Sequence, residues 1–384
     1  MVEKESILKN FADIVPEKKT SISLDKFDII TVIGRGNFSK VLMAELKRDK
    51  QLYAIKVIKK QVVLEDEDIE WLQTEKNVFE IASNNHFLVG LHSCFQTPSR
   101  LYFVMELVQG GDLMFHMQKK KKLPEYHAMF YSAEVALALR FLHRNGIIYR
   151  DIKLDNVLLA NDGHIKLTDY GMCKQGIKGD EKASTFCGTP NYMAPELLQN
   201  QDYSFSVDWW ALGVMTFEMM VGTSPYNIDE LEGKTEDYLY QLILTKDIQP
   251  PSSLSYSSRK VLLDFLTKDP CERLGCKVGH EFKEIMDHVY YSPINWEALA
   301  CKQIKPPYIP VVRNVRDYNN FPTEYTSETK IFTFDDPEEI EQIDQDEFKN
   351  FGYINPLMSG TCYDLFKRQE KTFPPEMEFS DHIH

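Results

Sequence analysis

The sequence lacks any long apolar run. No stretch approaches the ~20 residues that cross a bilayer as a helix, and the opening Met1-Val2-Glu3-Lys4-Glu5-Ser6 has no apolar signal-peptide core. Cysteine is sparse. Seven are scattered over 384 residues without metal-ligand spacing, which implies free thiols in a reducing, cytoplasmic setting. Positive charge is in deficit: a formal net charge of −14 argues against nucleic acid as the main partner and favours basic peptides. Internal repeats are absent. What remains, 43% hydrophobic and 27% charged residues, is an ordinary globular balance that rules out wholesale disorder.

The chain is long enough for two domains, or for one bilobal unit with an extension. Residues 1–26 read as a polar leader. From Phe27 to about residue 107 the pattern is strand-like, with β-branched and apolar residues in Phe27–Ile33, Leu52–Ile58 and Leu101–Met105. One helix is predicted over Asp66–Ile81, with Ile69, Leu72, Val78 and Phe79 as its apolar members. From Tyr126 to Ile294 the pattern is largely helical, most clearly in Ala133–Leu139 and Trp209–Met220. Beyond, residues 296–384 carry Pro306, Pro307, Pro310, Pro322 and an acidic run over Asp335–Glu341, and read as a tail that wraps the surface. The fold class is therefore α+β, with a small β-rich lobe (27–107) and a larger helical lobe (108–295).

Six short segments occur in a fixed order: Gly34-x-Gly36 with Ser39 and Val41 beyond it, Ala54-Ile55-Lys56, Glu75, Arg150-Asp151 followed by Asn156, Asp169-Tyr170-Gly171, and Ala194-Pro195-Glu196. Glycines let backbone amides approach phosphate oxygens without interference from Cβ. Alone, the first segment is better read as a hairpin turn, and a strand lysine such as Lys56 is usually solvated. Asn156 and Asp169 supply two hard oxygens of the kind that Mg²⁺ takes while keeping waters and leaning on phosphate; with Asp151 they could also be loop turns, a reading that their spacing and neighbours disfavour. Together the segments hold a phosphate cover, a lysine clamp, metal ligands and a base, the parts that phosphoryl transfer from ATP requires.

In this order they resemble a eukaryotic protein kinase, and the resemblance implies a bilobal kinase fold using MgATP. It implies an ATP site from Ile33, Gly34, Gly36, Ser39, Val41 and Ala54, with Lys56 on the α- and β-phosphates and Glu75 as its ion-pair partner. Glu67, Glu70 and Glu80 share the helix with Glu75, and only the resemblance selects among them. Glu106 and Val108 become the hinge that meets adenine, Asp112 the ribose contact, and Phe321 the tail residue closing over the base. Asp151 becomes the base that accepts the substrate hydroxyl proton, Lys153 the neutraliser of the transferring group, and Asn156 and Asp169 the Mg²⁺ ligands. Lys153 two residues after Asp151 resembles serine/threonine rather than tyrosine kinases. Arg150, Glu196, Asp208 and Arg273 take structural roles, with Glu196 paired to Arg273 and Asp208 steadying the catalytic loop.

Thr185-Phe186-Cys187-Gly188-Thr189-Pro190, Asp208-Trp209-Trp210 and Phe348-Lys349-Asn350-Phe351-Gly352-Tyr353 narrow the resemblance to the AGC group. Within it, Asp169-Tyr170-Gly171, Gly90–Gln96 and Tyr353-Ile354-Asn355-Pro356-Leu357 resemble atypical protein kinase C. That likeness implies docking of Phe348, Phe351 and Tyr353 onto the small lobe and independence of calcium and diacylglycerol. It also implies phosphorylation of Thr185 by an upstream kinase, whose added charge of about −1.5 to −2 would meet Arg150; an unmodified loop hydroxyl is the other reading. Polarity-type scaffold partners and recruitment to membrane or cell cortex follow from the likeness alone. Asp112, Asp155 and Glu218 form a candidate acidic pocket for basic residues flanking the acceptor.

The departures are specific. Ser39 stands for a third glycine, Tyr149 for histidine, Tyr170 for phenylalanine, Phe334 for the proline after the turn-motif site Thr333, and Gly352 for an acidic residue. No cysteine/histidine framework precedes Asp25, so a catalytic-domain form is the expectation. Lys119–Lys122 is either a solvated helix end or a contact with a membrane or partner. A pseudokinase scaffold is the alternative of a different class, opposed by Lys56, Asp151, Asn156 and Asp169. A small-molecule phosphotransferase fits poorly with Gly188–Glu196.

Overall fold

A computed structural model describes residues 22–36, 39–65, 69–177, 181–226, 235–277, 279, 281–330, 332 and 335–356. Strands β1 (Phe27–Arg35), β2 (Ser39–Leu46), β3 (Leu52–Lys59), β4 (Leu91–Gln96) and β5 (Arg100–Glu106) form one antiparallel sheet with helices α1 (Lys60–Glu65) and α2 (Glu70–Ala82). The two-residue period of a strand sorts the side chains onto its faces. Along β5, Leu101, Phe103 and Met105 enter the core shared with α2, while Tyr102 and Val104 enter a second core on the other face. On β3, Ala54 and Ile58 face α2 and Ile55 and Val57 face away. Lys56 lies between Ala54 and Ile58 in the same parity, so it is aimed at α2 and the cleft. α2 answers with Leu72, Glu75, Phe79 and Ala82, buried at intervals of three and four residues.

The large lobe is built on α4 (Glu125–Arg144) and α6 (Ser206–Val221), both buried along most of their length. Around them lie α3 (Leu113–Lys120), α5 (Pro195–Leu198), α7 (Glu236–Thr245), α8 (Tyr256–Phe265), α9 (Glu281–Asp287) and α10 (Trp296–Ala300). A small hairpin, β6 (Val157–Leu159) with β7 (Ile165–Leu167), projects its flanking loops into the cleft. α6 stops at Gly222, whose φ of 95° caps the helix through its N–H to the Glu218 carbonyl. Among the described residues no helix is long and apolar enough to cross a membrane.

The tail runs over both lobes. It passes Gly163, where a Cβ would fall 2.4 Å from the Tyr308 carbonyl, and is tied to the small lobe by Arg316–Glu45 at 2.6 Å and by Arg35–Glu328 at 2.9 Å. Two short helices, α11 (Thr323–Thr326) and α12 (Pro337–Glu341), interrupt it. Its last described element is β8 (Tyr353–Ile354), which adds a sixth strand beside β4.

Several elements differ from the sequence reading. The helix predicted from Asp66 begins at Glu70; α1 is a separate turn before it, and 66–68 lie outside the described residues. β2, β4 and the β6–β7 hairpin were not distinguished in the sequence. Over its described residues the tail runs along both lobes and, beyond the sequence reading, adds a strand to the sheet; 357–384 lie outside the described residues.

Candidate active site

Between β1 and β2 the register shifts at Val32/Gly34, and Gly34 stands opposite Val41. Gly36 N–H donates to the Ser39 carbonyl at 3.0 Å, closing the turn; Asn37 and Phe38 lie outside the described residues. A Cβ at Gly36 would sit 2.8 Å from Ser39 Oγ. Ile33 and Val41 are half-buried beneath this turn and Ala54 is buried beside them.

Lys56 Nζ lies 2.6 Å from Glu75 Oε1 and 3.0 Å from Asp169 Oδ1. The structure thus brings together three residues from a strand, a helix and a loop. It also separates Glu75 from its rivals: Glu70 is exposed, Glu80 is half-buried, and Glu67 lies outside the described residues. Burial pulls the Lys56 ammonium down, but the Asp169 and Glu75 carboxylates outweigh it and hold the group above its ordinary range. Lys56 in turn holds the Asp169 carboxyl below the usual carboxylate range.

The loop before β6 gathers the second cluster. Lys153 Nζ donates to Asp151 Oδ2 at 2.8 Å, Thr189 Oγ1 to Asp151 Oδ1 at 2.8 Å, and Asn156 Nδ2 to Asp151 Oδ2 at 2.7 Å and to the Asp151 carbonyl at 2.9 Å. Its amide nitrogen is thereby engaged, and Asn156 Oδ1 takes no hydrogen bond among the described residues. Thr168 N–H donates to the Asn156 carbonyl at 3.1 Å, which fixes Asp169 beside Asn156. A carboxylate and an amide oxygen at one cleft are hard donors that fit Mg²⁺ brought in with a nucleotide. Both hinge points are held in the left-handed region, Arg150 at φ 67° and Asp169 at φ 60°, a conformation that non-glycine residues keep only where surroundings enforce it. Asp208 does the enforcing at Arg150: it accepts from Tyr149 N–H at 2.9 Å and Arg150 N–H at 2.8 Å, and His143 Nε2 lies at 2.8 Å.

Arg150 spreads its guanidinium over the Met172 and Cys173 carbonyls and reaches Tyr203 Oη at 2.9 Å; Tyr203 donates to the Thr185 carbonyl at 2.8 Å. Thr185 itself is exposed. Arg150 and Thr185 are therefore linked through Tyr203, a relay that sequence reading missed because Tyr203 lies outside every recognised segment. Thr333 and Phe334 lie outside the described residues. Glu196 and Arg273 meet through two bonds of 2.6 and 2.9 Å, both side chains buried.

Where the two lobes join, no hydrogen bond among the described residues uses Val108 N–H or C=O. Glu106 pairs with Lys166 at 3.0 Å. Asn320 Nδ2 donates to the Gln109 carbonyl at 3.1 Å, which sets Phe321 of the tail at the hinge. Asp112 caps α3 by accepting from Phe115 N–H at 2.7 Å; burial, and then the charge of Asp155, push it up to about 6. Tyr192 donates to Glu218, which burial pushes up to about 7 with Asp155 adding to the rise. The charge of Asp155, itself exposed, thus raises both.

The tail dock was legible only in part. Phe348 and Phe351 are buried, and Phe351 meets Phe103 edge-on at 5.1 Å. From there rings continue through Phe103–Phe79 at 5.6 Å, Phe79–Tyr170 at 4.6 Å and Tyr170–Tyr149 at 6.3 Å. Tyr170 Oη also lies 3.0 Å from both the Val89 and Leu167 carbonyls, which share its one proton, and Tyr149 donates to the Thr168 carbonyl. The two tyrosines that depart from the family pattern therefore tether this ladder as well as fill it. Lys60 lies over the Phe348 ring at 4.8 Å, and Lys76 donates to the Asn350 carbonyl at 2.9 Å with the Tyr353 ring 5.8 Å away. No sequence signal marked either lysine.

Two lobes, a lysine–carboxylate clamp and an Asp–Lys–Thr cluster across one cleft define the class of nucleotide-dependent phosphotransferases. The protein kinase domain family matches residues 27–291. The chain belongs to this family. It is 56% identical over 347 residues to Atypical protein kinase C of Drosophila melanogaster, covering 89% of this chain and 57% of that protein. It is 57% identical over 342 residues to Protein kinase C zeta type of Oryctolagus cuniculus, covering 88% and 58% respectively. Protein kinase C-like 1B of Caenorhabditis elegans is 47% identical over 337 residues, covering 88% of this chain and 47% of that protein. The chain thus spans under three-fifths of each of these relatives.

Proposed function

We propose that this chain is a serine/threonine protein kinase of the atypical protein kinase C type, transferring the γ-phosphoryl group of MgATP to protein hydroxyls without need of calcium or diacylglycerol. The observation that carries the reading is the Asp151 cluster, in which one carboxylate is held by Lys153, Thr189 and Asn156 at 2.7–2.8 Å. Such a carboxylate can orient a Ser/Thr hydroxyl and accept its proton, while Lys153 lies where charge spreads onto the departing group. Lys56, set by Glu75, orients the α- and β-phosphates; Asp169 and Asn156 hold the substrate's Mg²⁺. Positioning and electrostatics supply the acceleration in phosphoryl transfer. A pseudokinase would not need this arrangement kept whole.

Further assignments rest on the same reading. Residues 27–295 act as the kinase unit with lobes meeting near residue 107, after a leader (1–26), and residues 296–384 act as a tail that stabilises it. Thr185 receives a phosphate from an upstream kinase, with Arg150 and Tyr203 as its neighbours. Asp112, Asp155 and Glu218 select basic residues beside the acceptor, and partners of the polarity-scaffold kind bring the chain from the cytoplasm to membrane or cortex. Peptides matched in all but the acceptor test the core of the proposal. Phosphate should pass from ATP to Ser and Thr peptides, be lost with Asp151→Asn, and spare Tyr peptides. Equal labelling by the Asp151 variant would end it.

A further inference from the structure

Segments 113–126 and 302–318 carry four Lys or Arg each, against one acidic residue each, Glu125 and Asp317, in a chain of net charge −14. The two segments touch: Lys120 Nζ lies 3.9 Å from the Tyr308 ring centre, and the His116 and Tyr308 rings meet at 5.3 Å. Two of the tail cations are paired, Lys302 with Asp162 at 2.6 Å and Arg316 with Glu45 at 2.6 Å. Lys119–Lys122 with Lys305 and Arg313 still outnumber Glu125, which Ser255 and Ser258 engage, and Asp317, which is buried against backbone amides. Lys119, Lys120, Lys121 and Lys122 are all exposed, and none makes an ion pair among the described residues. Beside them the tail exposes Ile309, Val311 and Val315, with Val311 and Val315 at 68% and 72%.

We infer that this strip is a docking face for an anionic bilayer surface. Lysines near a negatively charged leaflet each add favourable attraction, which decays within a Debye length. Single aliphatic side chains set among cations suit insertion at headgroup depth. A protein partner would instead call for a contiguous apolar centre with a polar rim, which this strip does not have. The remaining surface is acidic overall and is repelled by the same lipid, so binding takes one orientation. The lysines stand at the far end of α3 from Asp112, about 12 Å along the helix axis, and leave the acidic pocket uncovered.

The test is co-sedimentation of the full chain with equimolar phosphatidylcholine–phosphatidylserine vesicles and with phosphatidylcholine vesicles alone. The expected result is binding to the mixed vesicles only, abolished by high salt. Lys119→Gln, Lys120→Gln, Lys121→Gln and Lys122→Gln combined should weaken it by about tenfold or more, from roughly fivefold per lysine attenuated by partial contact. Val311→Asp with Val315→Asp should weaken it independently, leaving every lysine in place. Lys47→Gln, Arg48→Gln and Lys50→Gln, exposed cations at the β2–β3 turn, should change little. No binding to mixed vesicles, or undiminished binding by the four-lysine variant, would overturn the proposal. So would retention of polyglutamate without vesicle binding, which would assign the strip to an acidic protein.

Discussion

Arg273→Ala should be among the most damaging single changes in the large lobe. All five guanidinium N–H groups are used: Nε to the Thr267 carbonyl, Nη1 to Glu196 and the Ser206 carbonyl, and Nη2 to Glu196 and the Lys268 carbonyl. The residue is 1% exposed, and its guanidinium lies over the Trp210 ring at 5.2 Å. Truncation leaves Glu196 as a buried carboxylate with only Ser206 Oγ, at 3.0 Å, for company. Removing one partner of a buried pair costs about 3–5 kcal/mol, and for a domain of this size each 1 kcal/mol moves the melting midpoint by about 2–4 °C. A fall of roughly 10 °C is expected in thermal or urea-monitored melts. Glu196→Leu with Arg273→Met should recover more than half of that, because no charge is then stranded. A loss under about 1 kcal/mol for Arg273→Ala, or a double variant as unstable as the single one, would refute the reasoning.

Other consequences follow from the cleft and the tail. Because Glu218 and Asp112 are raised to about 7 and about 6, they ionise as pH rises through those values. KM for Arg- or Lys-flanked peptides should therefore rise several-fold from pH 8 to pH 6, while a neutral peptide changes little; parallel profiles would count against the acidic pocket. Phe351→Ala removes a buried ring from the ladder at a cost of about 3 kcal/mol, so hydrogen exchange in β8 should accelerate and kcat should fall; unchanged exchange would detach the tail from the sheet. A side chain at Gly352 meets nothing within 4 Å, and its φ lies outside the left-handed region. Gly352→Glu should therefore stabilise the docked tail by about 0.4–1 kcal/mol through loss of chain freedom, and faster exchange in β8 would contradict this.

What was legible in the sequence depended on whether chemistry imposed a pattern. Lys56, Asp151, Asn156 and Asp169 stand in short segments whose residue types are dictated by phosphate, proton and cation, and these positions meet at one cleft. Glu75 was different: a helix with four glutamates does not say which one faces inward until Leu72, Phe79 and Ala82 set its buried face. β8 is two residues long and gains its strand character from β4, as the Cys94↔Tyr353 register shows; no local periodicity can announce it. Tyr203, Lys60 and Lys76 act through contacts more than fifteen residues away in sequence, so their roles are tertiary. The helix start was placed too early, at Asp66 and not Glu70, because Asp66, Glu67 and Asp68 are residues that a first helical turn favours.

The central claim is phosphoryl transfer from a nucleotide gripped between the lobes, and single-turnover transfer from MgATP to a basic serine peptide tests it most directly. The account predicts rapid labelling by the unaltered chain and loss of about a thousandfold or more with Asp169→Ala, in keeping with the dependence of this chemistry on charge placement. Equal, slow labelling by both proteins would contradict it.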